Sequence, residues 1–267
     1  MPTTRVPLDV VFDEEDASCA TTCVRVLIED ASVSFVLDSG ARRSQVLDDI
    51  AGDWPVVGVE SSNTVFSEHL DRRVAAPALR LGDLRIEGLE MSRVSSTGAG
   101  ARNLLGLDVF RHHSCLLDLA RQTLALGEQP DFMSFTEVMP LYLDEVGHAY
   151  LDVVVGSELV SAVWDTGGRI TVVDTALLAR RPALFEEVEP TVGIDAVGQT
   201  QQIPIYLMGP VSIAGVVFEE QKVAVIDLSA ANATWFIDFP RRQWALSRPT
   251  RWRVGSARGR PPSDHQP

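Results

Sequence analysis

The chain of 267 residues repeats itself at about half its length, which restricts it to folds built from two like units. Residues 24–48, VRVLIEDASVSFVLDSGARRSQVLD, lie over 151–175, LDVVVGSELVSAVWDTGGRITVVDT, at a constant offset of 127. Val26 meets Val153, Ile28 meets Val155, Val33 meets Val160, Asp38 meets Asp165 and Ser44 meets Thr171. Further on, 84–89 (LRIEGL) lies over 211–216 (VSIAGV) at the same offset, and 118–126 (DLARQTLAL) over 238–246 (DFPRRQWAL) at 120.

The hydrophobic period within each copy is two. Val24, Val26 and Ile28 alternate, a turn follows at Glu29–Asp30, and Val33, Phe35 and Leu37 alternate again, the pattern of paired strands with one buried face. The second copy gives Leu151, Val153 and Val155, a turn at Gly156–Ser157, then Leu159 and Val160. Long amphipathic helices are not evident; short ones are expected at Ser44–Ile50 and Thr175–Arg181. The chain therefore reads as all-β, with similar lobes at 1–127 and 139–248. The Gly- and Pro-punctuated segment 128–138 reads as a linker. The Arg-, Pro-, Gly- and Ser-rich tail 249–267 is expected to be disordered and solvated.

Each copy delivers an acid from an apolar strand into a tight turn, Asp38-Ser39-Gly40 and Asp165-Thr166-Gly167. Turn-capping aspartates would suffice to explain one such triplet. Two at equivalent places point to carboxylates built to meet. Two acids held close cannot both ionise readily, so one keeps a proton. The ionised member can then take a proton from a water, and the protonated member can polarise a carbonyl. Glycine after the hydroxyl residue allows a tight turn and close backbone approach. The Ser39 and Thr166 hydroxyls can tie each loop to the other lobe.

In these residues the sequence resembles the two-lobed aspartic peptidases, in particular the retropepsin-like group. FVLDSGARRS (35–44) supplies the group's strand, Asp-Thr/Ser-Gly and later hydroxyl; AVWDTGGRIT (162–171) supplies nearly all of it, with Gly168 where Ala, Ser or Thr is usual. NLLGLDVF (103–110) matches the apolar-apolar-Gly-x-Asp element that packs beneath the catalytic loop, through Leu104, Leu105, Gly106 and Asp108. The resemblance spans about residues 20–248 and implies two β-barrel-like lobes with an active-site cleft between them. It implies a catalytic pair, Asp38 and Asp165, with Ser39, Gly40, Thr166 and Gly167 supporting it, and a structural role for Asp108. The second copy has no clear Gly-x-Asp; LSAANATWFID (228–238) stands where it should be, and the offset has fallen by seven.

VGVESSNTVF (57–66) and VGIDAVGQTQ (192–201) share Val-Gly-Val/Ile-acid. They read either as flaps over the cleft, with Gly58, Val59, Gly193 and Ile194 touching substrate, or as surface hairpins. The implied activity is hydrolysis of peptide bonds by an endopeptidase that needs no cofactor. The alternatives are a peptide-binding scaffold that kept the fold without turnover, and a protein that cuts only itself. Activity is expected to be greatest at weakly acidic pH, with Arg42, Arg43 and Arg169 mostly facing solvent.

Composition narrows the partners. A hydrophobic content of 45% with 22% charged residues suits a packed core. A net charge of −14 argues against nucleic acid, because phosphate contacts need clustered Lys and Arg. No apolar run reaches the ~18 residues of a membrane span, and the acidic N-terminus lacks a signal peptide's apolar stretch. The expectation is a cytoplasmic monomer acting on peptide or protein, with Cys19, Cys23 and Cys115 as free thiols. RHHSC (111–115) offers His and Cys without further ligands at metal-binding spacing, so it reads as surface or core and no metal is expected.

Overall fold

The structure, a computed structural model, describes residues 3–12, 20–64, 66, 68–98, 100–118, 121–127, 142–145, 147–213 and 215–228. The expected linker and tail, Cys19, Asp238 and nearly all of 228–238 lie outside these residues. The fold is all-β: among the described residues, 22 strands stand against three α-helices of at most six residues.

Four sheets carry these strands, two from each half of the chain. In the first half, Ser114–Asp118, Thr123–Gly127 and Thr4–Pro7 form a three-stranded antiparallel sheet. A ten-stranded sheet runs from the hairpin Val56–Asn63/Glu68–Ala75 through Glu90–Val94, Gln45–Leu47 and Leu104–Leu105. It continues through Ala31–Leu37 and Ala20–Ile28 to Leu79–Leu81 and Leu84–Ile86, with Asp9–Phe12 paired to Ala20–Ile28. In the second half, Ala149–Val155 carries Glu158–Val163 on one side and Val211–Ile213 on the other. A four-stranded sheet orders Thr171–Asp174, Gln221–Ile226, Thr200–Met208 and Phe185–Ile194. No ladder among the described residues joins the two halves.

The period-two residues are the core. Val24, Val26 and Phe35 are fully buried, and Ile28 and Leu37 nearly so, packed with Leu79, Leu81, Met91 and Leu105. Each such side chain contributes about 1.5–3 kcal/mol by leaving water. The second half has smaller clusters, one around Val155, Val173, Val211, Val223 and Val225 and one around Ile203, Ile205 and Ala224. The turns fall at Glu29–Asp30, where Glu29 takes φ +54°, and at Gly156–Ser157.

The ladders correct three sequence expectations. The first helix is Asp48–Ala51 rather than Ser44–Ile50, because Gln45–Leu47 is a strand parallel to Glu90–Val94. The second is Thr175–Arg180, capped by Asp174, whose Oδ1 accepts from the Ala176 N–H at 2.6 Å. The segment 84–89 is not the counterpart of 211–216. Leu79 pairs with Ile28 and Val211 with Val155, so the offset there is 132. The same offset holds for Ser92 beside Gln45 against Ala224 beside Val172. Five residues have therefore been gained between Asp174 and Ile205, four of them by the time the first arm of the second hairpin pairs, since Asn63 beside Glu68 corresponds to Ile194 beside Thr200. From Val94 to Asp118 is 24 positions, whereas from Ile226 to Asp238 is 12; the later deficit is twelve, not seven.

Leu104–Leu105 wedges between Val36–Leu37, to which it is parallel, and Gln45. Gly106 then turns the chain against Ala41 and Arg43. Its φ of −98° is open to any residue, but a Cβ there would lie 2.7 Å from the Ala41 carbonyl oxygen. Gly106→Ala should lower stability by roughly 1–3 kcal/mol, the range for overpacking a filled site, as measured by urea unfolding.

Candidate active site

The strands Ala31–Leu37 and Glu158–Val163 end at the two acid turns, and four hydrogen bonds lock those turns together. The Ser39 hydroxyl donates to the Trp164 carbonyl at 2.5 Å, and the Thr166 hydroxyl donates to the Leu37 carbonyl at 2.8 Å. In return the Ser39 N–H donates to Thr166 Oγ1 at 3.1 Å, and the Thr166 N–H donates to Ser39 Oγ at 3.0 Å. Each hydroxyl thus accepts from the opposite loop while donating to the opposite strand end. A hydroxyl can do both at once. Ser39 is only 1% exposed, so these bonds have little competition from water.

The carboxyl groups are held in the same symmetric way. Asp38 Oδ1 accepts from the N–H groups of Gly40 and Ala41 at 2.9 and 2.8 Å. Asp165 Oδ1 accepts from Gly167 and Gly168 at 2.8 and 3.2 Å. The two carboxyl groups lie close enough for the Asp165 charge to act on Asp38. The glycines are required for space rather than for an unusual φ. A Cβ on Gly40 would lie 2.6 Å from the Asp165 carboxyl carbon, and one on Gly167 would run into that of Asp38. At Gly168 a Cβ would press on Asp165 Oδ2 at 3.3 Å, so glycine in place of Ala, Ser or Thr relieves a tight approach to the carboxyl group.

Asp38 is half-buried and Asp165 exposed. Desolvation, then the Asp165 charge, push the Asp38 pKa up to about 8, against the lowering effect of the Ala41 and Gly40 N–H groups. The pair is thus built to keep a proton where a single carboxyl group would have lost it.

Beneath Asp38 the support is complete. The Asp38 N–H donates to the Leu105 carbonyl at 3.0 Å. Asp108 accepts from the Ser44 N–H at 2.8 Å and the Ser44 hydroxyl at 2.6 Å, while Gly106 N–H donates to Ser44 Oγ at 3.0 Å. Asp108 is therefore a structural cap. Its pKa is raised by burial, against the Ser44 bonds. Beneath Asp165 the counterpart of Ser44, Thr171, is exposed, and any Gly-x-Asp counterpart would fall outside the described residues.

A cleft of about 3200 Å³ is lined by both aspartates and by both hairpins. The two Val-Gly motifs occupy different places in those hairpins. Gly58 pairs with Arg73 near the base, whereas Gly193 pairs with Gln201 beside the tip. Val59 points outward at 61% exposure, so it does not face the cleft as a flap residue should. Gly58 does face inward, but it abuts the Arg73 guanidinium. Gly193 lies against Phe66 and Ile203, and Ile194 is packed near Gly100.

The residues that join the hairpins were not singled out from sequence. Thr64 Oγ1 donates to Asp195 Oδ2 at 2.5 Å, and Gln45 Nε2 donates to the Ala196 carbonyl at 2.9 Å. Asp195 is 6% exposed and also accepts from the Val197 and Gln199 N–H groups. Its spacing from Gly198 was the available turn signal; Thr64 and Phe66 carried none. Arg42 is exposed, as expected, and Arg43 is half-buried, which departs from the expectation; both pair with Glu60, at 3.2 and 2.8 Å. Neither is among the main groups that shift the Asp38 pKa. Arg169 is exposed.

Cys115 is buried in the first core, and burial raises its thiol pKa. Cys23 is a free, half-buried thiol. Among the described residues no group of three or more His, Cys, Asp or Glu is placed to hold a metal, and no helix is long and apolar enough to cross a membrane.

No protein-family model matches the chain, and no match is found among curated proteins. Solved structures do match. A retropepsin-like aspartic protease from Rickettsia conorii is 10% identical and covers 47% of this chain and 90% of its own, with a TM-score of 0.33. Conglutin gamma, a basic 7S globulin from lupine seeds, is 12% identical over 84% and 86%, with a TM-score of 0.49. An aspartic proteinase from Irpex lacteus is 13% identical over 85% and 87%, with a TM-score of 0.46. At these values the likeness carries no argument about chemistry, which rests on the geometry above.

The raised Asp38 pKa has a consequence for stability. Between the unfolded value, near 3.8, and about 8, the folded chain keeps a proton that the unfolded chain releases. Stability then falls as pH rises through that window and levels off above it. Asp38→Asn retains an Oδ1 acceptor for Gly40 and Ala41 and removes the titration. Its melting temperature should match that of the parent near pH 4 and exceed it by several degrees at pH 8, by calorimetry.

Proposed function

We propose that the chain is an aspartic-type endopeptidase in which Asp38 and Asp165 hydrolyse a peptide bond without a cofactor. The observation that supports this best is the meeting of two carboxyl groups across the Ser39–Thr166 ring, each anchored by two backbone N–H groups on its own loop and each close against the glycine of the other. The shared proton resides on Asp38, and Asp165 is the base. Asp165 takes a proton from a water held between the carboxyl groups, and the water oxygen attacks the peptide carbonyl carbon. Asp38 gives its proton to the carbonyl oxygen as the C–O double bond becomes single. The tetrahedral adduct collapses when Asp165 passes its proton to the amine nitrogen, the C–N bond breaks, and one hydroxyl of the adduct returns its proton to Asp38 as the C–O double bond re-forms. Ser39 and Thr166 keep the acids in one plane. The hairpins exclude water from the cleft once peptide is bound. One chain supplies both loops, so it acts as a monomer.

A second reading, a peptide-binding protein without turnover, is favoured by the twelve positions missing between Ile226 and Asp238 and by the exposure of Asp165. Digestion of a diverse peptide mixture across pH separates the two. The peptidase reading expects cleavage by the parent chain. Asp38→Asn and Asp165→Asn should each reduce kcat/KM at least about 1000-fold with the fold intact, since one carboxyl group cannot act as both acid and base. Absence of cleavage at every pH supports the binding reading.

The pH profile follows from the pair. Only the singly protonated pair is competent, so activity is bell-shaped and its limbs belong to the pair as a unit. The upper limb is set by loss of the proton held on Asp38, so activity should persist through neutral pH and fall as pH rises through about 8. This lies above the weakly acidic optimum expected from sequence. The measurement is kcat/KM against pH for one peptide at fixed ionic strength. Activity lost already between pH 4 and 5 would contradict the protonation assignment.

A further inference from the structure

The two hairpins stand at equivalent places in the repeat, yet their inner faces have opposite chemistry. The ladders fix the correspondence. Arg73 pairs with Ser92 as Ile205 pairs with Ala224, and Asp71 lies two residues before Arg73 as Ile203 lies before Ile205. Arg43 and Ile170 each follow their catalytic aspartate by five. Under the second hairpin Ile170, Ile203 and Ile205 form an apolar cluster with Ala224. Under the first, the same positions hold Arg43, Asp71 and Arg73. These are joined by Glu60, which pairs with Arg43 at 2.8 Å, and by His69, which pairs with Asp71 at 3.0 Å.

The first hairpin is inside-out for a soluble strand pair. Its inward residues are polar, with Asp71 6% exposed, while Leu70 and Val59 face solvent at 74% and 61%. Apolar residues on the wet face and charges on the covered face gain nothing from burial, so the inner face is shaped by something other than core packing. Arg43, Glu60, Asp71 and His69 all line the cleft.

The apolar pocket already has an occupant. Phe66, from the tip of the first hairpin, packs on the isoleucine cluster and against Gly193, where a Cβ would lie 2.8 Å from the ring. Only glycine at 193 leaves room for an aromatic ring there.

We propose that the cleft has two unlike side-chain pockets, an apolar one beneath the second hairpin and a polar one beneath the first. The substrate would then carry a large apolar residue on one side of the cleaved bond and a hydrogen-bonding residue on the other, in a fixed order. The inference rests on the peptidase reading for the word substrate. An extended peptide sends successive side chains to opposite sides, so the two residues flanking the bond meet different hairpins. An apolar side chain pressed onto Glu60 and Asp71 would strip water from their remaining lone pairs and return no bond. Such a pocket selects by rejection. The isoleucine pocket accepts a ring or branched chain because Phe66 shows that one fits, and the substrate side chain takes the place of Phe66.

The test uses four statine-type peptide mimics, in which a hydroxyl-bearing carbon replaces the scissile carbonyl, with Leu or Gln in each flanking position. Binding to the full chain is measured by calorimetry. One of the two mixed orders should bind at least about 10-fold tighter than Leu/Leu. Phe66→Ala should tighten that mixed mimic and leave Gln/Gln unchanged. Leu/Leu binding as tightly as either mixed order overturns the proposal, and so does a failure of all four to bind. Cleaved bonds from the peptide mixture, read by mass spectrometry, separate this from the peptidase reading. Cleavage without the mixed preference sinks the pockets and spares the activity. A mixed preference without cleavage sinks the activity and spares the pockets.

Discussion

Two hydroxyl groups hold the site together. Ser39 and Thr166 each bridge from their own turn to the opposite strand, giving four hydrogen bonds through two oxygen atoms. No ladder joins the halves among the described residues, so the relative placement of Asp38 and Asp165 depends on this ring and on the hairpin contacts. Both hydroxyls are needed as donor and acceptor together. An alanine at either position would leave buried backbone groups of the other half without partners, which costs more than a simple contact.

Around that ring the repeat is unequal in depth. The first half surrounds its aspartate with a large core and a strand, Leu104–Leu105, that takes the Asp38 N–H. The second half has smaller clusters, and its aspartate is exposed. The inequality suits two carboxyl groups that must differ in proton affinity, because desolvation falls mainly on one of them. Two aspartates in similar turns, Asp-Ser-Gly and Asp-Thr-Gly, thus differ in how much protein surrounds them.

Much of this was legible in the sequence. Alternating Val24, Val26 and Ile28 specify a strand, and two acid-hydroxyl-glycine turns at one offset specify the pair. What was not legible depended on ladder register. Ser44–Ile50 resembled a helix start because Gln45–Leu47 is too short to show a period; only its parallel pairing to Glu90–Val94 makes it a strand. The Val-Gly motifs at 57–59 and 192–194 look alike in sequence, but the register puts them at unlike places, Gly58 opposite Arg73 at a base and Gly193 opposite Gln201 beside a tip. Thr64 and Asp195 are 131 residues apart and meet only because the hairpins do.

The inside-out first hairpin also bears on how the cleft opens. When a protein element lifts into water, the cost is set mainly by the apolar surface it uncovers. Raising the second hairpin would wet Ile203 and Ile205. Raising the outer part of the first, beyond the buried Val74 at its base, returns Glu60, Asp71 and His69 to a solvent they tolerate and withdraws one ring, Phe66. The first hairpin is therefore the cheaper of the two to lift from the cleft. Amide exchange, faster in Glu68–Ala75 than in Thr200–Met208, would be the physical trace of that bias.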